Sequence, residues 1–240
     1  MSTTIETSAP QQPANGLLTY LSVISSPTDA FQQLARTPMW GWAAIAGIIL
    51  TIVATIIMLP EQTHLGHIMQ AQSLQQMTAE QQAQAAPAMA KIEPFLKYTY
   101  IAAAVIQPWV GWLIAGAVFS IAAALGGGEA KFRSAWVLAV NAYAITTIAL
   151  LVNAIILAMR GPDSVNTPLD TFVVPSLAML VHGNPKLEVF LYAYNIIYVW
   201  AYIVMGIGLV QVMKMSRTAS IVTVIILSLL LAGIGMLFAK

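Results

Sequence analysis

The sequence predicts an all-α, polytopic integral membrane protein with five transmembrane helices, its N-terminus in the cytoplasm and its C-terminus outside. Three observations carry that expectation. Hydrophobic residues make up 59% of the 240 and charged residues 8%, with a mean hydropathy of +0.79, whereas about a quarter of a soluble domain is charged. Tyr98 to Gly128 and Ser134 to Met159 contain no charged residue, and about 20 apolar residues suffice for a helix to cross the hydrocarbon with its backbone satisfied internally. Between these runs, Gly126-Gly127-Gly128-Glu129-Ala130-Lys131-Phe132-Arg133 is short enough only for a tight hairpin. Its Lys131 and Arg133 mark it as a cytoplasmic turn, because short loops rich in Lys and Arg stay inside.

Residues 1–19 are expected to form a disordered cytoplasmic tail. The first 15 are rich in Ser, Thr, Gln and Pro and hold Glu6 but no basic residue or apolar core, so they are not expected to act as a secretory signal. Residues 20–36 read as a short helix on the membrane surface. Ser26 is placed to cap it, Pro27 fits the first helical position, and Asp29 puts a negative charge on the first turn. Phe31 and Leu34 share a face expected to lie on lipid, with Gln32, Gln33 and Arg36 toward water.

Residues 20–238 then read as one membrane domain. The first span is 39–60, opened by Trp40 and Trp42, whose indoles favour the headgroup region. Residues 61–95 form an outer segment with eight glutamines between Glu61 and Glu93. Thr78 and Gln81 have capping-box spacing there, so one or two helices are expected outside, lying on the membrane through Leu65, Met69 and Met77. The second span, 97–125, holds Pro108, which predicts a kink, a break or a strong tilt. The third span is 134–159. A second outer segment, 160–187, carries Pro162, Pro168, Pro175 and Pro185, and its apolar piece Phe172 to Val181 is too short to cross. The fourth span is 189–213, a second basic turn holds Lys214 and Arg217, and the fifth span is 218–239. Arg36, Lys131, Arg133, Lys214 and Arg217 fall inside on this plan, against Lys91, Lys97, Arg160, Lys186 and Lys240 outside. The numbers are equal, but short loops weigh most, and both short loops fall inside.

Three stretches carry a family resemblance. Ser26-Pro27-Thr28-Asp29-Ala30-Phe31-Gln32-Gln33-Leu34, the Gly126 to Phe132 turn, and Val199-Trp200-Ala201-Tyr202-Ile203-Val204-Met205-Gly206-Ile207-Gly208-Leu209 running into Lys214-Met215-Ser216-Arg217 together resemble the bacterial branch of the Yip-one (Ypt/Rab-interacting membrane protein) domain family. The likeness covers about residues 20 to 238. It implies five spans with a cytoplasmic N-terminus and, for a bacterial member, the inner membrane. The eukaryotic relatives bind Rab-type GTPases; a bacterial cell has no Rab cycle, so that partner is not carried over.

Candidate sites are few. Glu61, His64 and His67 are spaced by three, so neighbours share a helix face and could contribute to a metal site. A closed site needs another ligand, with His182 on the other outer segment; the plainer reading is polar residues capping a membrane helix, and no metal is assigned. Asn141, Asn153 and Asn195 lie inside spans that have no deep ionisable residue, which argues against a pump or proton-coupled carrier. Hydrogen bonding between helices is the simpler role for Asn141 and Asn195; a polar path is the sharper one. Gly111 with Ala115 and Gly116 with Ser120 have helix-contact spacing. The triple glycine lacks the strand and the Gly-Lys-Ser/Thr ending of a phosphate loop, and reads as a helix-ending turn.

No Ser-His-Asp, paired-carboxylate or HExxH set presents itself, so no enzyme activity and no cofactor are expected. A net charge of +1 and no basic cluster give nothing to attract nucleic acid. The absence of cysteine removes disulfides and thiolate chemistry. The expected function is that of a membrane organiser or adaptor. Its contacts would be the lipid bilayer, a second copy of itself or another membrane protein, met partly through Lys131, Arg133, Lys214 and Arg217. The alternative is a passive channel or permease for a small solute or metal ion.

Overall fold

The computed structural model of the protein describes residues 15–181 and 183–238. The described residues form an all-helical fold: α1 Gly16–Ser25, α2 Pro27–Arg36, α3 Gly41–Ile57, α4 Leu59–Gln75, α5 Ala79–Ile92, α6 Leu96–Leu125, α7 Phe132–Arg160, α8 Pro185–Tyr192, α9 Ile196–Gln211 and α10 Arg217–Phe238. Short 3-10 turns fill the segment between α7 and α8. α6 has 30 residues and α7 has 29, about 45 Å each at 1.5 Å per residue, which exceeds a hydrocarbon core of about 30 Å.

α6, α7 and Arg217–Leu237 of α10 are each long and apolar enough to cross a membrane. α3 and α4 form a fourth candidate only as a pair, bent by 60° at Met58. The outward faces fit that setting. Ile45, Ile49 and Val53 of α3, Ile106, Leu113 and Ile114 of α6, and Ile221, Ile225 and Leu229 of α10 are all exposed. Apolar surface of that extent needs hydrocarbon around it.

α7 is the centre of the bundle. Its buried positions include Ala135, Ala139, Ala142, Ala144, Ala149 and Ala154, and such small side chains let neighbouring backbones close in. α3 lies along it through Ala43, Ala44, Gly47 and Ala54. α6 meets it at Gly116, where an added Cβ would sit 3.3 Å from the Phe132 ring. Gly111 of α6 has nothing within 4 Å of its Cβ position, so the two glycines face different surroundings. Trp40, Trp109, Trp112 and Trp136 then form an aromatic knot with ring centroids 5.3 to 6.4 Å apart, tying the entry of α3 to α6 and α7.

Several expectations change. The segment 20–36 is two helices, not one, and the first begins at Gly16, capped by the Asn15 side chain on the amides of Leu17 and Leu18. The remainder of the expected tail, residues 1–14, lies outside the described residues. Phe31 and Leu34 do not lie on lipid; with Ala30 they are fully buried against α7 and α9. Ser26 holds the cap position before Pro27, but its side chain makes no cap bond. The helix of the first span ends at Ile57 rather than at Pro60, where α4 turns away. Pro108 does not break α6, which continues through it as one helix; a proline removes one N–H bond but a membrane helix tolerates it. The expected fourth span is interrupted at Ala193–Asn195 between α8 and α9. The capping box holds: Thr78 and Gln81 exchange amide-to-side-chain bonds of 3.0 and 3.3 Å and start α5.

Gly208 tests the packing directly, since a Cβ there would fall within reach of Leu138 Cδ1 and 3.2 Å from the Phe31 ring. Gly208→Val is expected to lower stability by about 1–3 kcal/mol through overpacking, read as a reduced thermal midpoint in detergent. Gly41→Ala, with nothing within 4 Å, is expected to leave the midpoint unchanged or slightly raised.

Candidate functional site

The two short basic turns sit at one end of the bundle and are built into each other. α6 stops because the amides of Gly126 and Gly128 return to the carbonyls of Ala122 and Ala123, each at 2.8 Å. Gly127 takes φ +71°, a left-handed conformation that costs glycine little. α9 stops in a similar way: Val212 N–H bonds Gly208 O at 2.8 Å and Lys214 adopts φ +56°. Across the turns, Glu129 N–H donates to Met213 O at 2.7 Å. Met213 and Met215 are buried between them. A Cβ at Gly128 would lie 2.6 Å from Met213 O, and one at Gly126 would meet Met215 Cε at 2.5 Å. These two glycines are therefore present for approach, not for flexibility.

The electrostatics divide the four basic residues. Lys131 donates to Glu129 at 2.7 Å. That hydrogen bond, with the Lys131 charge and then Lys214, holds the Glu129 carboxyl below the usual carboxylate range. Lys214 Nζ donates to Gln211 O at 2.7 Å. Arg133 and Arg217, both exposed, make no ion pair among the described residues. Lys214, bonded only to a neutral carbonyl and exposed, keeps its charge as the two arginines do.

The α1–α2 hairpin completes this end. Thr19 Oγ1 donates to Gln33 Oε1 at 3.0 Å, pinning the two helices together. Trp200 Nε1 donates to Ile24 O at 3.2 Å, pinning the hairpin to α9. Between these clamps Phe31 fills the space that Gly208 leaves open.

The three asparagines are absorbed by structure. Asn141 Nδ2 donates to Met39 O and Val137 O, each at 2.9 Å, joining α7 to the entry of α3. Asn153 donates to Thr171 O at 2.8 Å and accepts from Val173 N at 3.0 Å, holding the outer segment onto α7. Asn195 caps α9 by accepting from the amides of Ile197 and Tyr198, and its backbone bridges to Ser176. So Asn141 links separate elements, whereas Asn195 starts a helix.

Glu61 and the histidines separate. Glu61 is 2% exposed, on the first turn of α4, with Oε2 making no hydrogen bond. His64 and His67 line an open depression of about 490 Å³ with Ile56, Leu59, Pro60 and Thr63, and Glu61 is not part of that lining. Among the described residues no three His, Asp or Glu side chains gather in a way that could hold a metal ion; His182 lies outside the described residues.

Sequence reading missed a groove between α9 and α10, lined by Gly206 and closed by Ser220 Oγ, which donates to Gly206 O at 2.7 Å. Gly206 facing a small residue on the next helix was the available signal.

The family model of the Yip1 domain matches residues 21–239. A relative in Bacillus subtilis (strain 168), called membrane protein YknW, is 26% identical over 206 residues, which cover 85% of this chain and 83% of the relative. No solved structure shows a significant match.

The contact between the turns can be tested alone. Gly128→Ala drives a Cβ against the Met213 carbonyl and is expected to break the Glu129–Met213 bond, lowering stability by about 1–3 kcal/mol. Gly111→Ala on the open face of α6 is the control, with no loss expected in the same melting assay.

Proposed function

The chain belongs to the Yip1 domain family, and on that basis we propose that it is a membrane organiser or adaptor whose working surface is the basic end of the bundle. The observation that carries this reading is the joining of both basic turns through Glu129 and Met213, with the α1–α2 hairpin clamped beside them by Trp200. Such an end is preorganised, so a partner meets Arg133, Arg217 and α2 in a fixed arrangement and loses little ordering entropy on binding. The partner is another membrane protein or a second copy of this chain.

The proposed topology has five crossings: α3, α6, α7, the broken pair α8–α9, and α10. The chain must return from the far end of α7 to the near end of α10. α8 and α9 both lie along α10, with Val189 close to Gly235 and Gly206 close to Ser220 and Val224, which supports reading the pair as one interrupted crossing. On this reading the basic end faces the cytoplasm, by the weight of charge in short loops, and the membrane is the inner one, as the resemblance to bacterial members of the family implies. Against a passive channel stands the engagement of Asn141, Asn153 and Asn195 with backbone groups, which leaves them little to offer a solute.

Two measurements follow. The chain has no cysteine, so single-cysteine variants report sidedness cleanly: Lys131→Cys and Lys214→Cys should react with an impermeant maleimide only after the cytoplasmic side is opened, and Gln75→Cys and Asn166→Cys from outside; the reverse pattern overturns the orientation. For the adaptor role, a photoreactive residue at Gln32, Lys131 or Arg133 in living cells should give adducts to a distinct membrane protein or to a second copy. Adducts to lipid alone would remove the reading.

A further inference from the structure

The groove between α9 and α10 has a volume of about 550 Å³, within the roughly 300–1,000 Å³ of small-molecule sites. Its walls are aliphatic, built by Val199, Ile203, Ile207 and Val210 on α9 and by Ile221 and Ile225 on α10. Polar groups along the walls are already engaged, since Tyr202 OH donates to Ala193 O and Ser220 Oγ to Gly206 O. At the basic end the character changes, and Thr28, Gln211 and Arg217 close the groove. Arg217 makes no ion pair among the described residues, Lys214 stands three residues away, and Asp29, though next to Thr28, does not line the groove.

We propose that this groove is a binding site for one anionic phospholipid, with an acyl chain between α9 and α10 and the phosphate against Arg217. Charge complementarity selects that occupant. The groove opens on the lipid-facing side of α10, so its apolar length lies at acyl-chain depth, while an unpaired guanidinium sits at headgroup level, where it forks onto phosphate oxygens. Packing between α9 and α10 leaves the space unfilled: Gly206 has no side chain to occupy it, and the Ser220 bond holds the helices at a fixed separation. The site does not depend on which leaflet the basic end faces, nor on the adaptor role.

Native mass spectrometry of the purified, delipidated protein tests it, with phosphatidylglycerol compared to phosphatidylcholine of the same chains. Phosphatidylglycerol should be retained in preference, one per chain. Arg217→Gln should weaken it by about fivefold, what one basic residue contributes toward an anionic headgroup, and should not affect phosphatidylcholine. Ile203→Trp, at an exposed wall position, should fill the groove and weaken both, while Arg133→Gln should change neither. Equal retention of the two lipids, or phosphatidylglycerol binding unaltered by Arg217→Gln, overturns the proposal. So does a dimer that Ile203→Trp dissolves while no lipid is held.

Discussion

A helix with protein neighbours on several sides inside a bilayer must let their backbones come near, because lipid tails solvate leucine as well as protein does and burial alone gives no drive to associate. α7 meets that constraint with a run of buried alanines, and the fold depends on it. α3 and α6 close on α7 over small residues, while α9 offers Gly208. The larger side chains gather in one knot, as the tryptophans do around Trp112 and Trp136. Dispersion contacts and a few hydrogen bonds carry the cohesion, so shape matters more here than in a soluble core.

The basic end solves a different problem. Helix termini there must satisfy their last carbonyls, and two turns laid together let one turn's amide serve the other's carbonyl. Glu129 and Met213 do this, and two buried methionines fill the gap, suiting their pliable shape to an irregular space. The charged groups remain at the rim, where hydration is cheap. Local pairing of Lys131 with Glu129 leaves Arg133, Lys214 and Arg217 as the outward charges, and of these arginine is the better cation for phosphate and carboxylate.

Hydropathy made the long helices legible. α6, α7 and α10 are uninterrupted apolar runs, and the triple glycine marks the hairpin correctly. What it could not show was the partner of each apolar face. Phe31 and Leu34 form the same amphipathic stripe whether they meet lipid or α9, and only the hole at Gly208 decides. Nor could it show the break at Asn195, because an asparagine within an apolar run is equally consistent with a bond between helices or with a cap. Glu61, His64 and His67 looked alike in spacing, yet the bend at Met58 turns Glu61 inward and leaves the histidines at the edge. A one-dimensional pattern carries depth and length well, but not azimuth or bends.

The clamps on the N-terminal hairpin reach far along the chain: Ile24 and Trp200 are 176 residues apart, and Met39 and Asn141 are 102 apart. During synthesis α1 and α2 emerge before α7 and α9, so the space at Gly208 and Leu138 that receives Phe31 does not exist until those two helices have been made. Until then the apolar face of α2 has no protein partner. A segment translated before its partners is therefore seated after them, and its docking waits on α7 and α9.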